Sequence, residues 1–202
     1  MAFPEDRLST TVEEATYLDP DGAIRGFHED YDRGPIAIGD MSQGGTYQEW
    51  HGSYDWGTEW IVLTPDTTGS PQSVLNIPNL SELSFCFDQN GNITVVYVQA
   101  GVLKLYYYDT LAQDFATLII PGGLSGMVTL DDKRARQSAL HDIMLIYTKD
   151  DGIGGYELHS RRQRDRFDPE IPLNEACYRY MLNLGMHEGL RVQITTTNLG
   201  SN

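Results

Sequence analysis

Between Phe85 and Asp109 the chain reads FCFDQNGNITVVYVQAGVLKLYYYD. Apolar and polar positions alternate, break at Asn90-Gly91, alternate again, break at Ala100-Gly101, and alternate a third time. A period of two with breaks of this kind predicts antiparallel strands joined by tight turns. Over Ser81–Asp88 it sets Leu83, Phe85 and Phe87 on one face. Asn-Gly predicts a type I′ turn, which needs positive φ at both central positions. DFATLII, Asp114–Ile120, predicts a fourth strand.

The same layout recurs 43 residues on. VTLD (Val128–Asp131) aligns under FCFD (Phe85–Asp88), each being apolar-x-apolar-Asp. ITVVYV is matched by IMLIYT, the turn QAG by KDDGIGG, and VLKLYYYD by YELHSRRQ. The second copy carries a longer polar insertion, DKRARQSALHD. A repeat of roughly 40–45 residues built from three or four strands is the period of a propeller blade. Upstream, PIAIG, TYQEWHGSY and TEWIVLT, the last two joined at DWG, predict a degenerate first copy over 36–64. PDTTGSPQS (Pro65–Ser73) reads as a loop on composition. Downstream, PLNEACY reads as a helical turn, and YRYMLNLGM with GLRVQITTT as a closing hairpin.

Residues 1–34 show neither period and are rich in Asp, Glu, Gly and Pro, which predicts an extended acidic arm. The expected organisation is that arm, then a single β domain over 35–202. Blade-like repeats fall near 81–120 and 124–166, ahead of the C-terminal hairpin. The fold class is all-β, with antiparallel blade-like sheets forming a partial propeller or a sandwich. Two or three such units do not close a propeller, which takes at least about four blades.

Charge narrows the partners. The net charge is −15, and phosphate binding needs a basic footprint, so nucleic acid is not expected as the main partner. Residues 1–100 hold three basic against sixteen acidic residues, a balance of −13; residues 101–202 hold eleven against thirteen, a balance of −2. The two basic clusters are DDKRARQ (Lys133, Arg134, Arg136) and SRRQRDRF (Arg161, Arg162, Arg164, Arg166). They are the candidate interface toward acidic residues of a neighbouring chain, with a solvent-facing strand as the plain alternative. No run reaches the roughly 18 apolar residues of a membrane span, and the first residues lack the pattern of a cleaved secretory signal. Cys86, between two phenylalanines, and Cys177 read as free buried thiols of a reducing cytoplasm.

Catalytic signals are weak. His28, His51, His141, His159 and His187 stand singly, without HxH, HxxxH or HExxH spacing, and no zinc site, other metal centre or cofactor is expected. DQNGN reads as a tight turn with Asp88 bonded to nearby backbone N–H groups. Blade repeats raise a sialidase-type glycosidase, but no nucleophile and general-acid pair stands out. Trp50, Trp56 and Trp60, with Tyr47 and Tyr54, read either as strand-pair and core packing or as a sugar-stacking platform.

Several segments together resemble a family of small structural proteins of tailed bacteriophages. They are FDQNGNITVVYVQAGVLKLYYYD, TLDDKRARQ, IMLIYT, RRQRDRF, NLGMHEGLRVQI and IAIGDMSQGGTYQEW, and they span roughly residues 36–197. The resemblance implies a virion tail component made in the host cytoplasm, with blade-like sheets as in nozzle and hub proteins, and no catalytic residues. It implies a homo-oligomer around the tail axis, in contact with other tail proteins. The alternative expectation is a carbohydrate-binding module on a tail tip or fibre, with a host surface glycan as ligand.

Overall fold

The computed structural model describes residues 36–39, 41, 48–67, 69–88, 90–130, 143–186 and 192–197. The expected acidic arm over 1–34 lies outside them, as do Lys133, Arg134 and Arg136. Within them the protein is all-β, and every strand pair is antiparallel. The first sheet is a meander of β1 (Ile36–Gly39), β2 (Gln48–Asp55), β3 (Trp60–Pro65) and β4 (Gln72–Asn76). The second is β5 (Leu80–Phe87), β6 (Ile93–Gln99), β7 (Val102–Asp109) and β8 (Asp114–Ile119). The third is β9 (Gly123–Leu130), β10 (Ile143–Asp150), β11 (Tyr156–Arg162) and β12 (Ile171–Cys177). A two-stranded unit follows, β13 (Tyr180–Met186) with β14 (Val192–Thr197).

The sheets are blade-like, and their first strands lie side by side: β1 against β5, β5 against β9, and β9 against β13. β5 and β9 begin and end 43 residues apart. No closed barrel forms among the described residues.

Face-to-face stacking of sheets explains the hydrophobic runs. On β6, Ile93, Val95 and Tyr97 join Leu83, Phe85 and Phe87 of β5 in a core with Trp50, Ile61 and Leu63 of the first sheet. The alternate residues Val96 and Val98, with Cys86, Leu103, Leu105 and Tyr107, pack against Val128, Ile143, Leu145 and Tyr147 of the third sheet and against Phe167 in the connection between β11 and β12. β10 repeats the scheme, because Met144 and Ile146 turn the other way, toward Leu184 and Ile194 of the terminal hairpin. A strand buried on both faces loses its alternation and reads as a continuous apolar run. Each fully buried aliphatic side chain contributes about 1.5–3 kcal/mol.

The close approach of β9 to β7 needs glycine. A Cβ at Gly123 would lie 2.6 Å from Leu103 Cδ2, and one at Gly126 would lie 3.3 Å from both Leu103 methyl groups.

Three local expectations change. PLNEACY is strand, not a helical turn: Tyr156, Glu157, His159 and Ser160 of β11 pair with residues 171–177 and supply the ladder partners that override its helical composition. β4 begins inside the stretch read as a loop, because β3 offers it an open edge. The two-residue turn with positive φ at both centres sits at Ala100-Gly101 (50° and 78°). At the Asn90-Gly91 turn, Gly91 takes φ 77° while the Asp88 carboxylate accepts from the N–H groups of Asn90 and Asn92. That side-chain clamp holds a longer loop than type I′ allows.

Candidate functional site

Four places gather polar or aromatic side chains, and each is set by a strand register. The first is the β2–β3 hairpin tip. Asp55 Oδ1 accepts from the N–H groups of Gly57 and Thr58, and Oδ2 accepts from the Thr58 hydroxyl at 2.7 Å. These bonds hold the Asp55 carboxyl below its usual range, the Thr58 hydroxyl contributing most. The clamp presents Trp56 at the tip, 59% exposed and edge-on to Tyr54 with ring centroids 4.7 Å apart. Trp60 is 37% exposed, whereas Trp50 is 5% exposed and packs at 6.3 Å from the Phe87 ring. The three tryptophans therefore do not form one surface: Trp50 is core, and Trp56 and Trp60 are the outward pair.

The second place is the arginine stretch. Arg161, 9% exposed, points into its own sheet. Its Nε donates to the Tyr147 hydroxyl at 3.1 Å, and one guanidinium nitrogen donates to the carbonyls of Phe167 at 2.7 Å and Asp168 at 2.8 Å. The other lies 3.4 Å from Glu170 Oε2. Glu170 also accepts from the Tyr147 hydroxyl at 2.6 Å and Lys149 Nζ at 2.8 Å, and lies 3.1 Å from His159 Nδ1. Burial alone would raise the Glu170 carboxyl, but the bonds from Lys149 and Tyr147 and the Lys149 charge outweigh it and pull it down to about 2. Burial and the bond to Glu170 push the Tyr147 phenol well above its usual range. Arg161, Tyr147, Lys149 and Glu170 bond to one another, as in a structural polar network, while His159 Nδ1 makes no hydrogen bond.

Arg166 bridges sheets. It donates to Asp109 Oδ2 at 2.6 Å, and this bond chiefly holds the Asp109 carboxyl down. Asp109 also caps the β7–β8 turn through the N–H groups of Leu111 and Ala112. Arg164 is exposed beside Asp165, and Arg162 is half-buried. Of four arginines within six residues, Arg161 is buried, Arg162 is half-buried, and Arg164 and Arg166 are exposed, Arg166 while paired with Asp109.

The third place is the seam between first strands. The Ser125 hydroxyl of β9 donates to Glu82 Oε2 of β5 at 2.6 Å, and the Val128 N–H donates to Ser84 Oγ. Burial dominates at Glu82 and raises its carboxyl to about 7, against the opposing bond from Ser125 and the charge of Arg179.

The fourth place is absent from any sequence motif. Glu49 and His51 lie two apart on β2, and Asp66 follows β3. The register pairing Trp50 with Pro65 continues to Glu49 and Asp66, and the Asp66 N–H donates to the Glu49 carbonyl at 2.9 Å. His51 Nε2 lies 3.3 Å from Glu49 Oε1 and 3.6 Å from Asp66 Oδ1. One ligand atom from each of the three residues falls within 4.8 Å of the others. The only trace in the sequence is Glu-x-His on a strand whose hairpin partner ends in Pro-Asp.

Cys86 is buried and Cys177 half-buried, and both thiols are free. Burial pushes both up, Cys177 to about 11, so neither suits a nucleophile. Among the described residues no helix is long and apolar enough to cross a membrane.

Fold and sites together define an all-β protein of serially stacked four-stranded sheets. Compared with known families, curated proteins and solved structures, the chain matches none.

Proposed function

We propose that the chain is a non-enzymatic structural subunit of a bacteriophage tail, residing in the virion and assembling with copies of itself and with other tail proteins. One observation carries the reading. Among the described residues the blade-like sheets close into no barrel, and the unit β13–β14 has two strands, half the width of the other three sheets. Exposed strand edges and sheet faces are surfaces that proteins cover with a neighbouring chain. The composite motifs spanning residues 36–197 resemble tail proteins, which supports the particular setting. Arg161, Tyr147 and Lys149 of the third sheet and Glu170 just before β12 are spent on one another, as suits a scaffold.

The test is mass photometry of the purified chain, alone and with the other tail proteins of the same particle. A homo-oligomer or a stable heteromeric complex is expected. A chain that stays monomeric with all of those proteins present overturns the proposal.

A second reading is favoured by Trp56 alone. An indole 59% exposed on a clamped hairpin tip, with Trp60 also outward, is the chemistry of sugar stacking. A glycan array read with the wild type and Trp56→Ala decides it: signal lost in the variant supports a lectin role, and no signal from the wild type refutes it.

A further inference from the structure

We propose that Glu49, His51 and Asp66 form a binding site for one divalent transition-metal ion of the zinc class. This site is independent of the assembly reading above.

The register places it. Glu49 and His51 share one face of β2, because side chains two apart on a strand point the same way. Trp50, between them, packs into the core with the second sheet. Glu49 and His51 therefore lie on the face of the first sheet turned away from the second. Asp66 stands across from Glu49, so two carboxylates face each other over the hairpin with one imidazole beside them. Like charges directly opposite on paired strands are unfavourable, and a cation between them reverses the sign.

His51 supplies the second observation. It is 8% exposed, and neither buried ring nitrogen has a hydrogen-bond partner. Such a group is costly unless something else satisfies it. Its Nε2 is aimed at both carboxylates, yet at 3.3 and 3.6 Å it makes no hydrogen bond with either. Those separations suit a metal. Ligand atoms about 2.0–2.2 Å from a tetrahedral zinc stand roughly 3.4 Å apart. One imidazole with two carboxylates is a borderline donor set, matching zinc better than calcium or magnesium, which take oxygen alone. Three protein ligands leave a coordination position for water or a further ligand.

His159 is the internal contrast. It lies 3.7 Å from Glu157 and 3.1 Å from Glu170, in the same Glu-x-His arrangement on β11. His159 Nδ1 also lacks a hydrogen-bond partner, but there the two carboxylates meet opposite ring nitrogens, Glu157 at Nε2 and Glu170 at Nδ1, so no single ion can take one nitrogen and both carboxylates together, as it can at His51 Nε2.

The experiment titrates zinc chloride into the metal-stripped full chain by calorimetry, with magnesium and calcium chloride as parallel arms. Asp66→Asn, His51→Gln and His159→Gln are compared with the wild type. Asp66 is exposed at the end of its strand, so Asp66→Asn keeps the fold, checked by its melt without metal. One zinc per chain is expected, with an upward shift of the melting temperature. Both effects should weaken more than about 100-fold in affinity on losing a direct ligand, since loss of outer-shell partners alone costs 10–100-fold. His159→Gln should bind as the wild type does. No saturable zinc binding by the wild type overturns the proposal, as does binding unchanged in Asp66→Asn and His51→Gln. Binding of calcium or magnesium in preference to zinc overturns the assignment of metal class.

Discussion

Replacing Arg161 by methionine should be far more damaging than replacing any other arginine of SRRQRDRF. The guanidinium of Arg161 meets the Tyr147 hydroxyl, the carbonyls of Phe167 and Asp168, and the Glu170 carboxylate, all at 2.7–3.4 Å. Methionine fills much of the volume but returns none of these bonds. A buried acceptor left without its donor costs about 1–3 kcal/mol, and two carbonyls and a phenol lose theirs together. Glu170 keeps Lys149, so its charge is not stranded. Removing one partner of a buried ionic network costs about 3–5 kcal/mol, and Arg161→Met is expected in that range. Arg164, exposed beside Asp165, should cost less than about 0.5 kcal/mol when replaced by methionine. Urea unfolding followed by tryptophan fluorescence measures both. Combining Arg161→Met with Glu170→Gln should be less damaging than the sum of the single changes, because the two share one network. Equal losses for Arg161 and Arg164, or a loss under about 1 kcal/mol for Arg161→Met, would refute the claim that this arginine is an internal keystone.

The tryptophans should separate in the same way. Trp50→Ala, emptying a core site against Phe87, should cost about 3–5 kcal/mol, while Trp56→Ala should leave the melting temperature nearly unchanged; similar melts would contradict the assigned burial. The Glu82 seam predicts a pH dependence. Its folded carboxyl is raised to about 7 from an ordinary 4.5, so between those values the folded chain binds more protons than the unfolded one. Stability from this group is therefore full below pH 4.5 and is lost as pH rises through 7. Glu82→Gln keeps an acceptor for Ser125 and should flatten that slope in denaturant titrations at pH 5, 6, 7 and 8; an identical slope in both proteins would show that Glu82 does not titrate there.

Strand identity was legible in the sequence because period-two alternation is a local property of the backbone. Ser81–Asp88, Asn92–Val98 and Val102–Asp109 needed nothing but their own residues to read as a ladder, and the observed strands β5, β6 and β7 lie within a residue or two of those spans. The 43-residue offset was legible for the same reason, since each unit repeats the chemistry that makes its strands. PLNEACY was not: its own residues read as a helical turn, and only the edge of β11 makes it a strand.

What the tertiary structure alone decided is which side chain of each type faces in. Arg161 and Arg164 are the same residue three positions apart. One is buried because Tyr147 and Glu170 arrive beside it from β10 and from the turn before β12, and the other is not. Trp50 and Trp56 differ likewise, by strand position against turn tip. Glu49, His51 and Asp66 converge across a hairpin whose register no spacing rule encodes, because the distance between strands is set by pairing and not by sequence separation. A linear pattern carries the periods of the backbone; the meeting of side chains far apart in the chain belongs to the packing of one sheet on the next.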